Sequence, residues 1–228
     1  MIRDPSLLEK VVSTLLSSGG EFADIYYQDM TARQVEAESG QIERISTIRE
    51  KGAGLRLIRG GVTHFATTVE LTPDSLLTLA SELASGAGSL GKGKKVQLTE
   101  LPPGPLPPGE DPAGIPLEDK GKLVMGALNT LDGFDSRLAQ VKSIYRDSSL
   151  SILIANSDGV LAEDSRSYGV FLVQVVATDG DHIQVGYEPV GGTGGYGMFR
   201  GSLVHLLVIV QRLLGGLQLG LGFVYPGL

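Results

Sequence analysis

The sequence predicts an α+β fold in which helices flank antiparallel or mixed β-sheets, arranged as two lobes that each run helix then strands. Apolar residues recur at helical spacing near the start, around residue 76 and after residue 117. Runs rich in β-branched and aromatic residues follow the first and last of these segments, separated by glycine-containing turns. At 228 residues and 42% hydrophobic content, the chain is long enough to bury a core.

The first lobe begins with a helix at Asp4-Pro5, because Asp can cap a helix and Pro suits its first turn. Gly19-Gly20 ends this helix. Strands are predicted at residues 22–28, 33–39, 55–59 and 62–69, with residues 42–48 forming another strand or an irregular return. Gly60-Gly61 predicts a two-residue hairpin, and Thr72-Pro73 starts the second helix.

The second lobe follows a segment of different composition. Residues 86–116 hold seven of the 11 prolines and have no apolar period, which predicts a linker or a long surface excursion. A helix is predicted at residues 117–131, although Gly121 and Gly126 weaken it. Turns at Asp158-Gly159 and Asp179-Gly180 separate some of the strands that follow, which are predicted at residues 139–145, 150–155, 160–162, 170–177 and 183–187.

The last segment, residues 201–228, is an apolar tail in which Arg212 is the only charged side chain. Three explanations stay open: translation out of frame, a membrane segment, or a folded part of the domain. The tail is long enough for a span of about 20 residues. Arg212, two glutamines and several glycines argue against membrane insertion.

Charge and composition narrow the classes of function. The net charge of −7 argues against a nucleic-acid binder, because phosphate contacts need clustered Lys and Arg. The absence of cysteine excludes disulfides, thiolate metal sites and Cys nucleophiles. Residues 1–20 carry four charges and lack the apolar core of a signal peptide, so we expect a cytoplasmic protein.

Three stretches together resemble the amino-terminal domain of TldD/PmbA proteins, the modulators of DNA gyrase. The first is residues 22–27 (FADIYY), and the second runs from Gly52-Ala53-Gly54 through residues 60–66 (GGVTHFA) to Leu71-Thr72-Pro73. The third is residues 153–164 (LIANSDGVLAED), followed by Gly186-Tyr187-Glu188 and the glycines at 191–195. The resemblance covers about residues 5–200, and its ending is closer to TldD than to PmbA.

The resemblance implies a zinc-dependent metallopeptidase that works as a dimer and cleaves small or unfolded polypeptides threaded into a cleft. In the family, a His-Glu-x-x-x-His helix in the carboxy-terminal half binds the zinc with a Cys. None of His64, His182 and His205 is followed by Glu, and no two have the spacing of this motif. We therefore assign this chain no catalytic residue and no metal ligand, and zinc belongs to the full-length family. The resemblance fades after Phe199.

Substrate binding is predicted for Gly191, Gly192, Gly194 and Gly195, as a loop that covers a peptide groove at the domain junction. A flexible connection is the structural alternative. Gly52-Ala53-Gly54 lacks the pattern of a phosphate loop and is interpreted as a tight strand entry. Glu163-Asp164 and the Asp179-Gly180-Asp181-His182 stretch are interpreted as strand ends and a turn, not as acid–base or metal sites.

Two functions remain from the sequence. The first is the amino-terminal, cleft-forming part of a TldD-type zinc metallopeptidase, which presents a strand edge to an extended peptide. The second is a non-catalytic binding module that pairs with a full-length relative as a homodimer or heterodimer. Peptidase activity regained by adding a full-length partner would favour the second function.

Overall fold

The computed structural model describes residues 2–89, 93–102, 110–199, 210, 214 and 215. It confirms the predicted α+β class. Three helices, α1 (Pro5–Leu15), α2 (Pro73–Ala87) and α3 (Leu117–Leu131), accompany a seven-stranded sheet. The strands are β1 (Phe22–Glu38), β2 (Gln41–Arg59), β3 (Val62–Thr68), β4 (Thr99–Glu100), β5 (Leu138–Asn156), β6 (Val160–Asp179) and β7 (His182–Gly192).

The helix ends follow the predicted capping chemistry. Asp4 Oδ1 accepts a hydrogen bond from the Ser6 amide at 3.0 Å, and Thr72 Oγ1 accepts one from the Ser75 amide at 3.2 Å. A proline occupies the first turn of both helices. Each cap satisfies an amide that the helix itself leaves unpaired, which fixes the residue at which the helix starts.

The strands differ from the prediction in length. Pairs of short predicted strands merge into β1, β2, β5 and β6, which have 17 to 20 residues each. Gly52-Ala53-Gly54 lies inside β2, so the predicted strand entry at this point is wrong. The stretches between the predicted strands are mostly polar and include glycines, but backbone pairing continues through them. The sheet order is β3-β2-β1-β5-β6-β4, and β7 also pairs with β6.

The chain divides into two compact units that each collect segments from both halves of the sequence. Unit 1 comprises Met1–Met30, Arg49–Leu106 and Leu150–Ser165, and unit 2 comprises Thr31–Ile48, Pro107–Ser149 and Arg166–Leu228. The long strands β1, β2, β5 and β6 contribute to both units. Because strand side chains alternate between faces, one face of each strand lies against the helices and the other faces away from them.

In unit 1, α1 and α2 pack on one face of the sheet. Their apolar residues, among them Leu8, Val11 and Leu76, form a core with alternate residues of β1, β2, β5 and β6. Part of the predicted linker belongs to this unit. The amides of Val96 and Leu98 donate to Ser13 Oγ and Glu9 Oε1 of α1, and Thr99 and Glu100 pair with the start of β6.

In unit 2, α3 packs on the sheet through a face that includes Val124, Leu128 and Leu131. Most of the apolar tail lies outside the described residues. The frameshift and membrane explanations for it therefore stay predictions. Of the tail, the structure describes Val210, Leu214 and Gly215, and the side chains of Val210 and Leu214 are buried in this core. Among the described residues, no helix is long and apolar enough to span a membrane.

Candidate functional site

The predicted glycine segment lies at the end of β7 and in the turn that follows. Gly191 and Gly192 pair with Val170 and Gly169 of β6. Gly195 has a φ of +70° and forms a parallel bridge with Glu110. A Cβ on Gly195 would lie 2.6 Å from the Glu110 amide nitrogen, so only glycine fits here. The segment thus has a packing role, and substrate binding by these glycines stays a prediction.

The histidines and acidic residues singled out in the sequence lie apart from one another. His64 is in β3, His182 starts β7, and His205 lies outside the described residues. Glu163 pairs with Arg3 across 3.5 Å. Within the part of the chain that the structure describes, no three His, Cys, Asp or Glu residues come together as metal ligands. These residues do not fit the zinc site that the resemblance implies.

An edge strand of the sheet is the strongest candidate for binding an extended chain. β3 pairs with β2 in a hairpin whose turn residues, Gly60 and Gly61, both have positive φ, as a two-residue turn of type I′ requires. In such a hairpin, Arg59 and Val62 form a hydrogen-bonded pair, and the pairs then alternate.

The register therefore decides which backbone groups of β3 point away from β2. Thr63, Phe65 and Thr67 stand opposite Ile58, Arg56 and Gly54 in the non-hydrogen-bonded positions. Their N–H and C=O groups point outward from the sheet, and all three residues are exposed. An extended peptide could pair with these groups and become an additional strand.

A groove of about 630 Å³ lies beside this edge in unit 1. Its walls include Tyr26, Gln28, Phe65, Thr67 and Val69, and its floor includes Gly52 and Gly54 of β2. The Phe65 ring lies over Gly54, since a Cβ there would be 3.0 Å from two ring atoms. The glycines that carry part of the family resemblance thus create a concave, largely apolar surface on the face of unit 1 opposite its helices.

Several charges beside this groove are paired with each other. Arg49 donates two hydrogen bonds to Asp29, at 3.2 and 3.0 Å, and Lys51 lies 3.6 Å from the same carboxylate. These bonds lower the pKa of Asp29, so it stays ionised. Arg56 pairs with Asp24 and lies over the Phe22 ring. Glu50 lines the groove and accepts a hydrogen bond from Gln28 at 3.4 Å, without a cationic partner among the described residues. An extended chain would therefore meet apolar surface and one negative charge in this groove.

Unit 2 contains a buried ionic cluster that was not predicted from the sequence. Lys120 of α3 and Asp147 of β5 are both fully buried side chains, and their Nζ and Oδ2 atoms are 2.7 Å apart. Lys120 also donates to the Pro112 carbonyl at 2.7 Å, and Arg33 lies 3.2 Å from Asp147 Oδ1. Burial, and then the Asp147 charge, raises the pKa of the Tyr145 hydroxyl, which therefore stays protonated.

Comparison with known proteins identifies the class of this fold. The model of the PmbA/TldA metallopeptidase domain 1 matches residues 23–87, and that of the PmbA/TldA metallopeptidase central domain matches residues 110–213. The chain belongs to the PmbA/TldD metallopeptidase family, and the resemblance found in the sequence is confirmed. The central-domain match continues to residue 213, so the expectation that the resemblance fades after Phe199 is wrong.

Among curated relatives, the chain is similar to a metalloprotease of Methanothermobacter thermautotrophicus, with 29% identity over 184 residues. That alignment covers 77% of this chain and 38% of the relative. A metalloprotease TldD homolog of Buchnera aphidicola is 26% identical over 180 residues, or 78% of this chain and 37% of the relative. The chain thus spans about two fifths of the length of these relatives.

Solved structures agree in fold. A putative modulator of DNA gyrase from Bacteroides thetaiotaomicron superimposes with a TM-score of 0.67 at 16% identity, covering 94% of this chain and 50% of that one. TldE from Thermococcus kodakarensis gives a TM-score of 0.66 at 15% identity, covering 93% and 47%. At these identities the similarity establishes the fold alone.

Proposed function

We propose that this chain forms the peptide-binding part of a TldD-type zinc metallopeptidase that acts on small or unfolded polypeptides. The observation that carries the proposal is the exposed edge of β3 beside the apolar groove of unit 1. Most backbone donors of a folded protein are already paired within it, whereas an unfolded polypeptide can offer a continuous extended stretch to such an edge. This difference explains a preference for flexible substrates.

The catalytic zinc, in this proposal, is held by residues of the full-length protein that this chain does not contain. Zinc activates a water molecule for attack on a peptide bond when bound in such a peptidase. The contribution of this chain is to hold the substrate extended and to limit its freedom before the reaction. The proposed setting is a cytoplasmic homodimer or a heterodimer with a TldD/PmbA relative, without nucleic acid.

A non-catalytic module that pairs with a full-length relative is the second candidate. Both candidates are consistent with the absence of cysteine and of any His-Glu-x-x-x-His stretch in this sequence. The two candidates differ in what the chain does to a relative. If addition of this chain to a full-length relative raises that relative's peptidase activity, the chain acts as a subunit. Unchanged activity, together with no co-elution of the two chains in size-exclusion chromatography, would exclude pairing.

Replacing Thr67 with Pro tests the edge directly. Thr67 points its N–H outward by register, so proline removes one donor at the edge without breaking a bond to β2. We expect the affinity for an extended fluorescent peptide of about ten residues to fall about tenfold, because one backbone hydrogen bond is lost and the ring blocks the approach. Fluorescence anisotropy with the 228-residue chain measures the affinity.

Thr67→Val is the matched control, because it keeps the N–H and the branched shape. We expect it to bind the peptide within about twofold of the native chain, and both variants to melt within a few degrees of it. Native-like peptide binding by Thr67→Pro would show that the β3 edge is not the binding site. An equal loss in both variants would assign binding to the side chain and not to the backbone.

A further inference from the structure

A second groove lies in unit 2, on the sheet face opposite α3. It has a volume of about 370 Å³, and its lining comes from four strands, β1, β2, β5 and β6. Five polar side chains line it: Gln34, Ser46, Arg146, Ser148 and Tyr168. The rest of its lining includes Ile48 and Val170, so polar groups and an apolar surface occur together.

Arg33, at the wall of this groove, turns its side chain to the α3 side of the sheet and belongs to the buried cluster. Its Nη1 lies 3.2 Å from Asp147 Oδ1, while Asp147 Oδ2 lies 2.7 Å from Lys120 Nζ. The single negative charge of Asp147 is therefore shared between these two cations. Arg146, whose side chain lies on the opposite face, is thus the guanidinium that the groove can use.

Arg146 is oriented but not neutralised. Its Nε donates to Gln34 Oε1 at 3.0 Å, and Gln34 in turn donates to Glu36, which pairs with Lys142. Among the described residues, no carboxylate pairs with the Arg146 guanidinium. The hydroxyls of Ser46, Ser148 and Tyr168 have no hydrogen-bond partner within the same part of the chain. Several donors thus line one groove without an acceptor.

We propose that this groove binds the terminal carboxylate of a peptide whose last side chain is apolar. A guanidinium presents a planar pair of donors that matches a carboxylate, and the hydroxyls can complete its hydrogen bonding. Ile48 and Tyr168 are 58% and 50% exposed, and they provide apolar surface for the last side chain. The chain as a whole carries a charge of −7 and repels anions, so a local cationic groove is selective.

This inference rests on the proposed peptide-binding function and adds to it a preference for free carboxyl termini. The test uses one peptide sequence ending in leucine, prepared with a free carboxylate and with a terminal amide. We expect the full chain to bind the free acid about tenfold more tightly than the amide, and the difference to shrink at high salt. A third peptide, amidated but with glutamate as its last residue, distinguishes a side-chain carboxylate from a terminal one.

Arg146→Gln should reduce the preference for the free acid to less than about twofold, while binding of the amide stays unchanged. Arg44→Gln is the matched control, because it removes the same charge from an exposed position in unit 2 that does not line the groove. It should keep the full preference.

Equal affinity for acid and amide in the native chain would overturn the carboxylate site and leave the peptide-binding proposal standing. An equal effect of the two arginine substitutions would also overturn it, since long-range charge would then explain the preference. Binding of neither peptide would overturn the peptide-binding proposal, and the carboxylate site with it. Tight binding of the amidated glutamate peptide would overturn recognition of the terminus and leave a side-chain carboxylate as the ligand.

Discussion

Replacing Lys120 with Met is expected to lower the free energy of unfolding by about 3 kcal/mol. The substitution leaves the carboxylate of Asp147 buried without its closest cation and leaves the Pro112 carbonyl without its donor. Breaking a buried pair costs about 3–5 kcal/mol, and the lower end applies because Arg33 remains as a second partner of Asp147. Urea unfolding of the native chain and the variant measures the difference.

Lys122→Met is the matched control on the same helix. Lys122 pairs with Glu118 and Asp119, but its side chain is 65% exposed, and exposed pairs contribute little. We expect a change of less than about 0.5 kcal/mol. The double variant Lys120→Met with Asp147→Leu should recover part of the loss, because no carboxylate is then buried without a partner. Equal losses at Lys120 and Lys122 would contradict the buried pair.

Replacing Gly195 with Ala is expected to destabilise the chain by about 3 kcal/mol. The φ of +70° costs an L-residue about 1–2 kcal/mol, and the new Cβ would overlap the backbone of Glu110, which cannot move aside without losing its bridge. Thermal unfolding followed by circular dichroism measures the loss.

Gly194→Ala separates packing from substrate binding in the same segment. A Cβ on Gly194 would lie 3.8 Å from the Met198 side chain, an ordinary contact, so we expect stability within about 0.5 kcal/mol of the native chain. If the segment binds substrate as predicted from the sequence, Gly194→Ala should weaken peptide binding while leaving stability intact. A large loss of stability at Gly194, or none at Gly195, would contradict the packing role.

Local chemistry explains which predictions succeeded. The helix starts at Asp4-Pro5 and Thr72-Pro73 and the hairpin turn at Gly60-Gly61 depend on residues next to each other in the chain. The merging of strands was missed because β1 and β2 stay paired through polar stretches whose residues show no clear alternation. Pairing with neighbouring strands, which are distant in sequence, decides their length.

The candidate sites could be predicted from the sequence to different degrees. The sequence identified Gly52, Gly54 and Phe65 as part of a family pattern, but not that Phe65 lies over Gly54 at the wall of a groove. The burial of Lys120 could not be predicted from the sequence, because a lysine beside Gly121 in a weak helix is typical of an exposed surface. The burial of Lys120 follows from its long-range partner Asp147, which the spacing of residues cannot reveal.

The α+β class, the helices α1, α2 and α3, several turns and the family could be predicted from the sequence alone. Capping, turn chemistry and motif order depend on residues that are close together in the chain. The tertiary structure was needed to show that β3 is an edge strand of the described sheet, that Gly195 must be glycine and that Arg146 lines a groove. Each of these depends on which distant strands pair and in which register. A shift of one residue in register would turn every side chain of a strand to the other face.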